Sequence, residues 1–318
     1  MTDPFRQLDG VTCVTDEPLS PYTTFQLGGP AELLASCSHP DALCGLLAAT
    51  AEQTRPVIVI GEGSNLLVSD AGVDAIVARY ANDKREPRLD GNALHVSGAM
   101  HLDTVVQYAV EHDCDGLTFL SGIPGTVGGA ICGNAGAFGQ EIGSAVLELE
   151  LADRSGHRHT VHGDDMAFDY RRSPMQKTGN IVLSAVLRVH PTDTDQRPER
   201  ERILSLRREK HPDWRHEPCA GSVFRNLAPP HPGARRQAAG WLLEQAGAKS
   251  MARGGARVYA KHANIVVKAD ETCRAQDVYD LVKDLRKAVF DRFDIELEPE
   301  IRFIGSFETV LKDDAHDA

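Results

Sequence analysis

Hydrophobic residues along the chain alternate between short continuous runs and helical spacings. The run Val57-Ile58-Val59-Ile60 reads as a buried strand. It empties into Gly61-Glu62-Gly63-Ser64-Asn65 and resumes as Leu66-Leu67-Val68, an order of strand, glycine turn, strand. Before it, Leu43, Leu46 and Leu47 share one face of a helix expected to enter at Ser38, with Pro40 in its first turn. Leu102, Val105, Val106 and Ala109 mark a second helix, and strands are expected around Val146 to Leu151 and Ile181 to Val189. Residues 190–202 (HPTDTDQRPERER) are polar and read as a connection, with a helix starting near Ile203. Further on come a helix from Gln237 to Ala246 closed by Gly247, strands near Val258 to Ala260 and Ile265 to Lys268, and a long amphipathic helix carrying Val278, Leu281, Val282, Leu285 and Val289. The chain returns as IELEPEIRFIG and ends in a polar, acidic tail. The pattern is mixed α+β, without internal repeats.

Composition narrows the function classes. The 318 residues suffice for two domains, and 42% are hydrophobic, as in a soluble globular protein. A formal net charge of −12 opposes nucleic-acid binding, which needs a basic field. It leaves room for a small anionic substrate held by local basic residues. MTDPFRQLDG has no signal-peptide character, and no segment has the roughly 18 apolar residues of a membrane span. The seven cysteines are scattered, with no CxxC pair, which fits reduced thiols in a cytoplasmic protein and no metal site.

Chemistry concentrates in a few stretches. LSGIPGTVGGAICGNAGAFG, from Leu120 to Gly139, holds seven glycines, yet keeps apolar residues at regular intervals. That composition opposes a flexible linker and favours a packed turn whose exposed N–H groups hold phosphate oxygens. GEGSNLLV is a second glycine turn. It lacks the third glycine of a dinucleotide fingerprint and the Gly-Lys of a P-loop, and alone it is as well explained by an ordinary β-turn. Two such turns in one half favour a long cofactor with a central diphosphate. In FDYRRSP, an extended backbone would point Arg171 and Arg172 oppositely, leaving one to face inward toward an anion. Ser222 in AGSVFRN has no following glycine, so it is no nucleophile elbow. Arg207, Arg208 and Lys210 make a basic cluster that is either a helix surface or a diphosphate clamp. Of Glu296, Glu298 and Glu300, only one is expected to matter, since like charges on one strand face repel.

Seven pieces in order resemble the UDP-N-acetylenolpyruvoylglucosamine reductase family: TTFQLGG, GEGSNLLV, SGIPGTVGGAICGNAGAFG, DYRRSPM, GSVFRN, AGWLLEQAG…GGARVYAKHANIVV and LEPEIRFIG, spanning about Thr23 to Gly305. The resemblance implies an FAD-binding fold of the vanillyl-alcohol-oxidase type in two subdomains (1–80 and 81–195), a C-terminal α+β substrate domain (196–306) and a tail (307–318). It implies reduction of a UDP-sugar enolpyruvyl ether by NADPH through non-covalent FAD, without membrane insertion; nothing in the sequence bears on oligomeric state. The cofactor would lie on Gly61, Glu62, Gly63, Ser64, Asn65 and Leu66 and on Ser121, Gly122, Pro124, Gly125, Thr126, Gly128 and Gly129. Ser222 falls on the family's proton donor. Arg171 and Glu300, the latter protonated, fall on the groups that stabilise the enediolate. Tyr170, Arg207, Lys210 and Asn226 would hold the substrate. Arg225-Asn226-Leu227 with a Pro-rich continuation, and HANIVVK, depart from the family's commoner Lys-Asn-Pro and HANFIVN. No tyrosine occurs between Tyr170 and Tyr259, which resembles the shorter subtype without a tyrosine loop. A flavin-binding paralogue or an oxidase of the same fold is the alternative.

Overall fold

The computed structural model describes residues 4–229, 231 and 233–308. Most of the acidic tail, residues 309–318, lies outside the described residues. The α+β class is borne out. The chain forms two compact units, and their boundaries differ from the contiguous segments expected. The first comprises residues 1–16, 32–62 and 75–207; the second comprises 17–31, 63–74 and 208–318.

In the first unit, a four-stranded sheet takes the order Val11–Pro18, Pro30–Cys37, Val73–Tyr80, Val57–Ile60. Val57–Ile60 runs parallel to Val73–Tyr80, with Val57 opposite Ile76. The helix Pro40–Glu52 covers it with the expected Leu43, Leu46 and Leu47, all fully buried. Its N-cap is His39, whose Nδ1 accepts from the Ala42 amide at 3.2 Å, so the helix begins one residue after the expected entry. A five-stranded antiparallel sheet follows, in the order Arg158–His162, Val146–Ala152, Ile181–Arg188, Ala93–Ser97, Arg88–Asp90. The helices Leu102–Glu111 and Val127–Cys132 bury Leu102, Val105, Val106, Val127 and Ile131 in its core.

The expected polar connection is partly helical: Arg197–Lys210 is one helix of 14 residues. Only Ile203 is buried in it, so hydrophobic spacing gave no sign of its first turns. Those turns are carried instead by charge, with Arg202 forked onto Glu199 at 2.7 Å across one turn.

In the second unit, a three-stranded sheet (Ala252–Arg253, Ala256–Tyr259, His262–Lys268) packs with the helices Ala239–Gln245 and Ala275–Phe293. Tyr279 is fully buried, stacked on Phe307 and edge-on to Phe303. Arg302–Ile304 pairs in parallel with Leu66–Val68, Arg302 opposite Leu66. No described helix is long and apolar enough to cross a membrane.

Candidate functional site

The glycine-rich strip has two structural duties in the first unit. Its helix Val127–Cys132 lies against sheet backbone: the Gly128 amide donates to Gly98 O at 2.8 Å, and a Cβ on Gly128 would come within 3.0 Å of that same oxygen. Any larger residue would press the helix and sheet backbones apart by a few tenths of an ångström. Thr126 caps the helix, its Oγ1 accepting from the Gly129 amide at 3.2 Å. Gly61, at the end of Val57–Ile60, presses on the same side chain; a Cβ there would stand 2.5 Å from Thr126 Oγ1. The two glycine stretches therefore meet at Thr126.

Many of the strip's donors are consumed inside the protein. Gly122 donates to Asp103 Oδ1 at 2.7 Å, the Ser121 amide to Thr118 O at 3.1 Å, and Ser121 Oγ to Thr118 O at 2.6 Å. Ser121 is fully buried. The exposed N–H groups expected along the whole strip are thus fewer. Gly125 and Thr126 are the residues of the turn whose amides meet no acceptor among the described residues, and Pro124 has no N–H to offer. The amides of Glu62, Gly63, Ser64 and Asn65 likewise meet none. Such amides suit a diphosphate. Within each unit, such amides and the missing side chain at Gly61 in the first or Gly63 in the second fit a cofactor of the kind the sequence suggested.

Arg171 does not have the extended backbone under which the two arginines would point oppositely. Its φ is +55°, in the left-handed region, within a short turn where Asp169 and Arg172 bridge. Its guanidinium folds back onto the strip, donating to Gly136 O at 2.9 Å and Asn134 O at 3.3 Å, and lies over the Tyr170 ring at 5.2 Å. Asn134 organises this turn and was not singled out from sequence. Fully buried, it donates to Asp169 O (2.7 Å) and Glu141 Oε2 (2.8 Å) and accepts from the Gly143 amide (3.0 Å). Its signal was present only as one polar letter among glycines.

At Gly122 in the same strip, Asp103 and Arg200 form a bidentate pair at 2.7 and 2.8 Å. Burial pushes the Asp103 carboxyl up, but the Arg200 fork and the Gly122 amide outweigh it, leaving the group below its ordinary value. Arg207 has no such partner. Its stem packs on Gly122, and its Nε is buried without an acceptor among the described residues. Burial lowers its pKa; Asp103 opposes that, and the neighbouring charge of Arg171 adds to it. Two cations face the same part of the first unit, and an anion there would relieve both.

Ser222 and Glu300 belong to the second unit and are backbone neighbours. The Glu300 amide donates to Val223 O at 2.7 Å, Phe224 bridges Pro299, and Arg225 donates to Glu298 O at 2.9 Å. Gly221, before Ser222, has φ +74° with open space around it. Ser222 itself is half-buried and bridges Ile265. Asn264 locks this strand, accepting from the Phe224 amide at 2.9 Å and donating to Phe224 O at 2.8 Å. The other glutamates of ELEPE are paired elsewhere: Glu298 with Arg225 at 2.5 Å and Glu296 with Arg286 at 3.6 Å.

The turns at Tyr22–Thr24 and Gly63–Asn65 both contact this part of the unit. A Cβ on Gly63, whose φ is +62°, would collide with Tyr22 O at 2.3 Å. Thr24 Oγ1 donates to Cys219 O at 2.7 Å, and Asn65 Nδ2 donates to Glu300 O at 3.0 Å. Asn226 carries a structural load, its Oδ1 accepting from the Ala239 amide at 3.1 Å and so capping the helix Ala239–Gln245. This explains why that helix starts two residues after the expected Gln237. Lys210 is exposed. His262 lies 5.5 Å from His211 between ring centroids, and burial lowers its pKa. No group of His, Cys, Asp and Glu suited to a metal occurs among the described residues.

Comparison with known proteins gives a consistent picture. The model of an FAD binding domain matches residues 31–162, and that of the UDP-N-acetylenolpyruvoylglucosamine reductase C-terminal domain matches residues 212–304. The UDP-N-acetylenolpyruvoylglucosamine reductase of Moorella thermoacetica is 37% identical over 294 residues, covering 92% of this chain and 93% of its own. That of Synechococcus sp. (strain JA-3-3Ab) is 34% identical over 294 residues, covering 92% of each. The crystal structure of UDP-N-acetylenolpyruvylglucosamine reductase from Thermus caldophilus superposes with a TM-score of 0.75 at 30% identity, covering 93% of this chain and 99% of that one.

Proposed function

This chain belongs to the UDP-N-acetylenolpyruvoylglucosamine reductase family, and from that premise we propose that it reduces UDP-N-acetylglucosamine enolpyruvate to UDP-N-acetylmuramate. It would do so in the cytoplasm, in peptidoglycan precursor synthesis, with non-covalent FAD and with NADPH as reductant. The observation that carries the reading is the backbone bond that sets Glu300 beside the Ser222 strand, in a chain that matches family members over 92% of its length.

The unpaired amides of Glu62 to Asn65, Gly125 and Thr126 would hold the cofactor's diphosphate, with Gly61, Gly63, Gly128 and Gly129 giving it backbone to approach. Ser121, Gly122 and Pro124 shape that turn, and Leu66 anchors the strand behind the other. When bound, the flavin supplies the hydride relay between NADPH and the vinyl carbon. The chain's own residues do the rest. Arg171, its guanidinium already fixed by two carbonyls, stabilises negative charge spreading into the substrate carboxylate. Glu300 hydrogen-bonds the same developing charge. Ser222 delivers the proton to the carbon next to the carboxylate, a task for a positioned donor. Arg207 and Lys210 hold the diphosphate of the nucleotide, Arg207 with a buried guanidinium edge in need of an anion. Tyr170 flanks Arg171, while Asn226 serves the nucleotide indirectly through the helix it caps. The enzyme is of the shorter subtype, holding its nucleotide by charge and not by a tyrosine from an inserted loop.

The test is direct. Purified protein should be yellow, release FAD on denaturation, and oxidise NADPH only when the enolpyruvyl nucleotide is present. A colourless protein that FAD cannot reconstitute, or NADPH oxidation indifferent to that nucleotide, would overturn the reading.

A further inference from the structure

The parallel pairing of Leu66–Val68 with Arg302–Ile304 has an anomaly at its upstream end. Arg302 donates its amide to Asn65 O at 2.9 Å, as a parallel ladder requires. Continued one step, the ladder would have Glu300 O accept the backbone amide of Asn65. Instead Glu300 O accepts Asn65 Nδ2, at 3.0 Å. The chain has turned away at Gly63, whose φ is +62°, and the Asn65 side chain stands in for its own backbone N–H. Two things follow at once. The Asn65 amide keeps no internal acceptor, and Glu300 still has a bond on each side: its N–H on Val223 O, its C=O on Asn65. Pro299 before it offers no donor, and the Asn65 bond ties the far side of the Glu300 backbone.

We infer that Asn65 is a positioning residue for Glu300, holding that residue's backbone beside the Ser222 strand, and that its side chain acts on the oxidative half of the reaction and not on flavin affinity. The inference rests on the role proposed above for Glu300.

The experiment is a double-mutant cycle of Asn65→Ala and Glu300→Gln in the FAD-loaded full-length protein, read by stopped-flow flavin absorbance. Asn65→Ala keeps the backbone amide assigned to the cofactor and removes only the side-chain bond to Glu300, so reduction by NADPH and the FAD dissociation constant should stay within about twofold of wild type. Reoxidation by the enolpyruvyl nucleotide should slow about tenfold, about 1.4 kcal/mol, within the range of one hydrogen bond. In the Glu300→Gln background the same substitution should add less than about twofold, because its effect passes through Glu300. A merely structural Asn65 would instead multiply with Glu300→Gln. If Asn65→Ala does not accumulate as folded protein, Asn65→Ser, whose hydroxyl is too short to reach Glu300 O, takes its place in the cycle. Three results would overturn the inference: multiplicative effects, a tenfold rise in the FAD dissociation constant, or unchanged reoxidation in Asn65→Ala while Glu300→Gln is slow. Wild-type reoxidation in Glu300→Gln itself would sink the proposed role of Glu300, and this inference with it.

Discussion

Gly61→Ala tests how tightly the two glycine stretches are fitted to each other. The added Cβ would lie 2.5 Å from Thr126 Oγ1 and 3.1 Å from its Cγ2, where ordinary contact begins at 3.4 Å. Thr126 must therefore retreat by about 0.9 Å. It is 3% exposed and its Oγ1 holds the Gly129 amide, so retreat breaks the cap on Val127–Cys132. Loss of a cap costs about 1 kcal/mol, and overpacking of a well-filled site about 1–3 kcal/mol. The expected destabilisation is then about 2–4 kcal/mol, read by urea unfolding, together with weaker FAD binding measured by fluorescence titration. A second substitution makes the reasoning specific. Thr126→Ala removes Oγ1 and Cγ2 and leaves a Cβ 3.4 Å from the new one. The double mutant should lose the cap but not clash, and so should be more stable than Gly61→Ala alone by about 1–3 kcal/mol. If Gly61→Ala unfolds within about 0.5 kcal/mol of wild type, or the double mutant is the least stable of the set, the contact does not have the consequence assigned to it.

The remaining predictions concern charge and the reaction. Ser222→Ala should leave NADPH reduction of the flavin intact and slow reoxidation by about 10²–10⁴-fold; equal damage to both half-reactions in stopped flow would contradict its role as proton donor. Replacing Arg207 or Lys210 by Ala should raise KM for the nucleotide more than it lowers kcat, and should make binding less sensitive to salt; unchanged KM in both, or a substrate complex with an aromatic ring from an inserted loop on the uracil, would refute a charge-based hold. Asp103→Asn should lose about 2–4 kcal/mol at neutral pH, since it strips Arg200, 13% exposed, of its partner. Because the folded Asp103 pKa lies below its ordinary value of 3.8, that stability is present above the unfolded pKa and is lost as pH falls through the folded one. The gap between mutant and wild type in urea unfolding should therefore close at acid pH, and a constant gap would count against the pair.

Where burial and backbone sterics dominate, the sequence was readable. Val57–Ile60, the Leu43-Leu46-Leu47 face and the Val278-to-Val289 face all form the elements expected, because apolar spacing determines which surface must be covered. The glycine-rich strip was also visible, but its meaning was only half legible. Gly128 serves helix–sheet approach and Gly122 serves Arg207, contacts to partners distant in sequence. Arg171 could be read only on the condition of an extended backbone, because neighbouring residues say nothing about a positive φ; its guanidinium folds back onto Asn134, 37 positions upstream. The first turns of Arg197–Lys210 escaped because they are held by ion pairs and bury nothing; the rest, from Ile203, was expected. Asn65 looked like a turn residue, and its bond to Glu300 spans 235 positions. Local composition shows which residues are unusual, whereas the partner that makes each one useful is set by topology.

That topology bears on how the chain is made. The second unit draws residues 17–31 and 63–74 from the early part of the polypeptide and needs 208–318 to complete itself. Leu66–Val68, all buried in the finished protein, must wait for Arg302–Ile304, some 236 positions later, before finding its parallel neighbour. At roughly 5–20 residues per second of synthesis, that is a wait of about 10–50 seconds with an apolar strand unpartnered. Closing so long a loop carries little extra entropic cost over a shorter one, so the delay is a hazard of exposure more than of stability. The same strand that pairs with Arg302–Ile304 in the finished enzyme is, on the ribosome, an adhesive edge that cellular holdases have reason to cover.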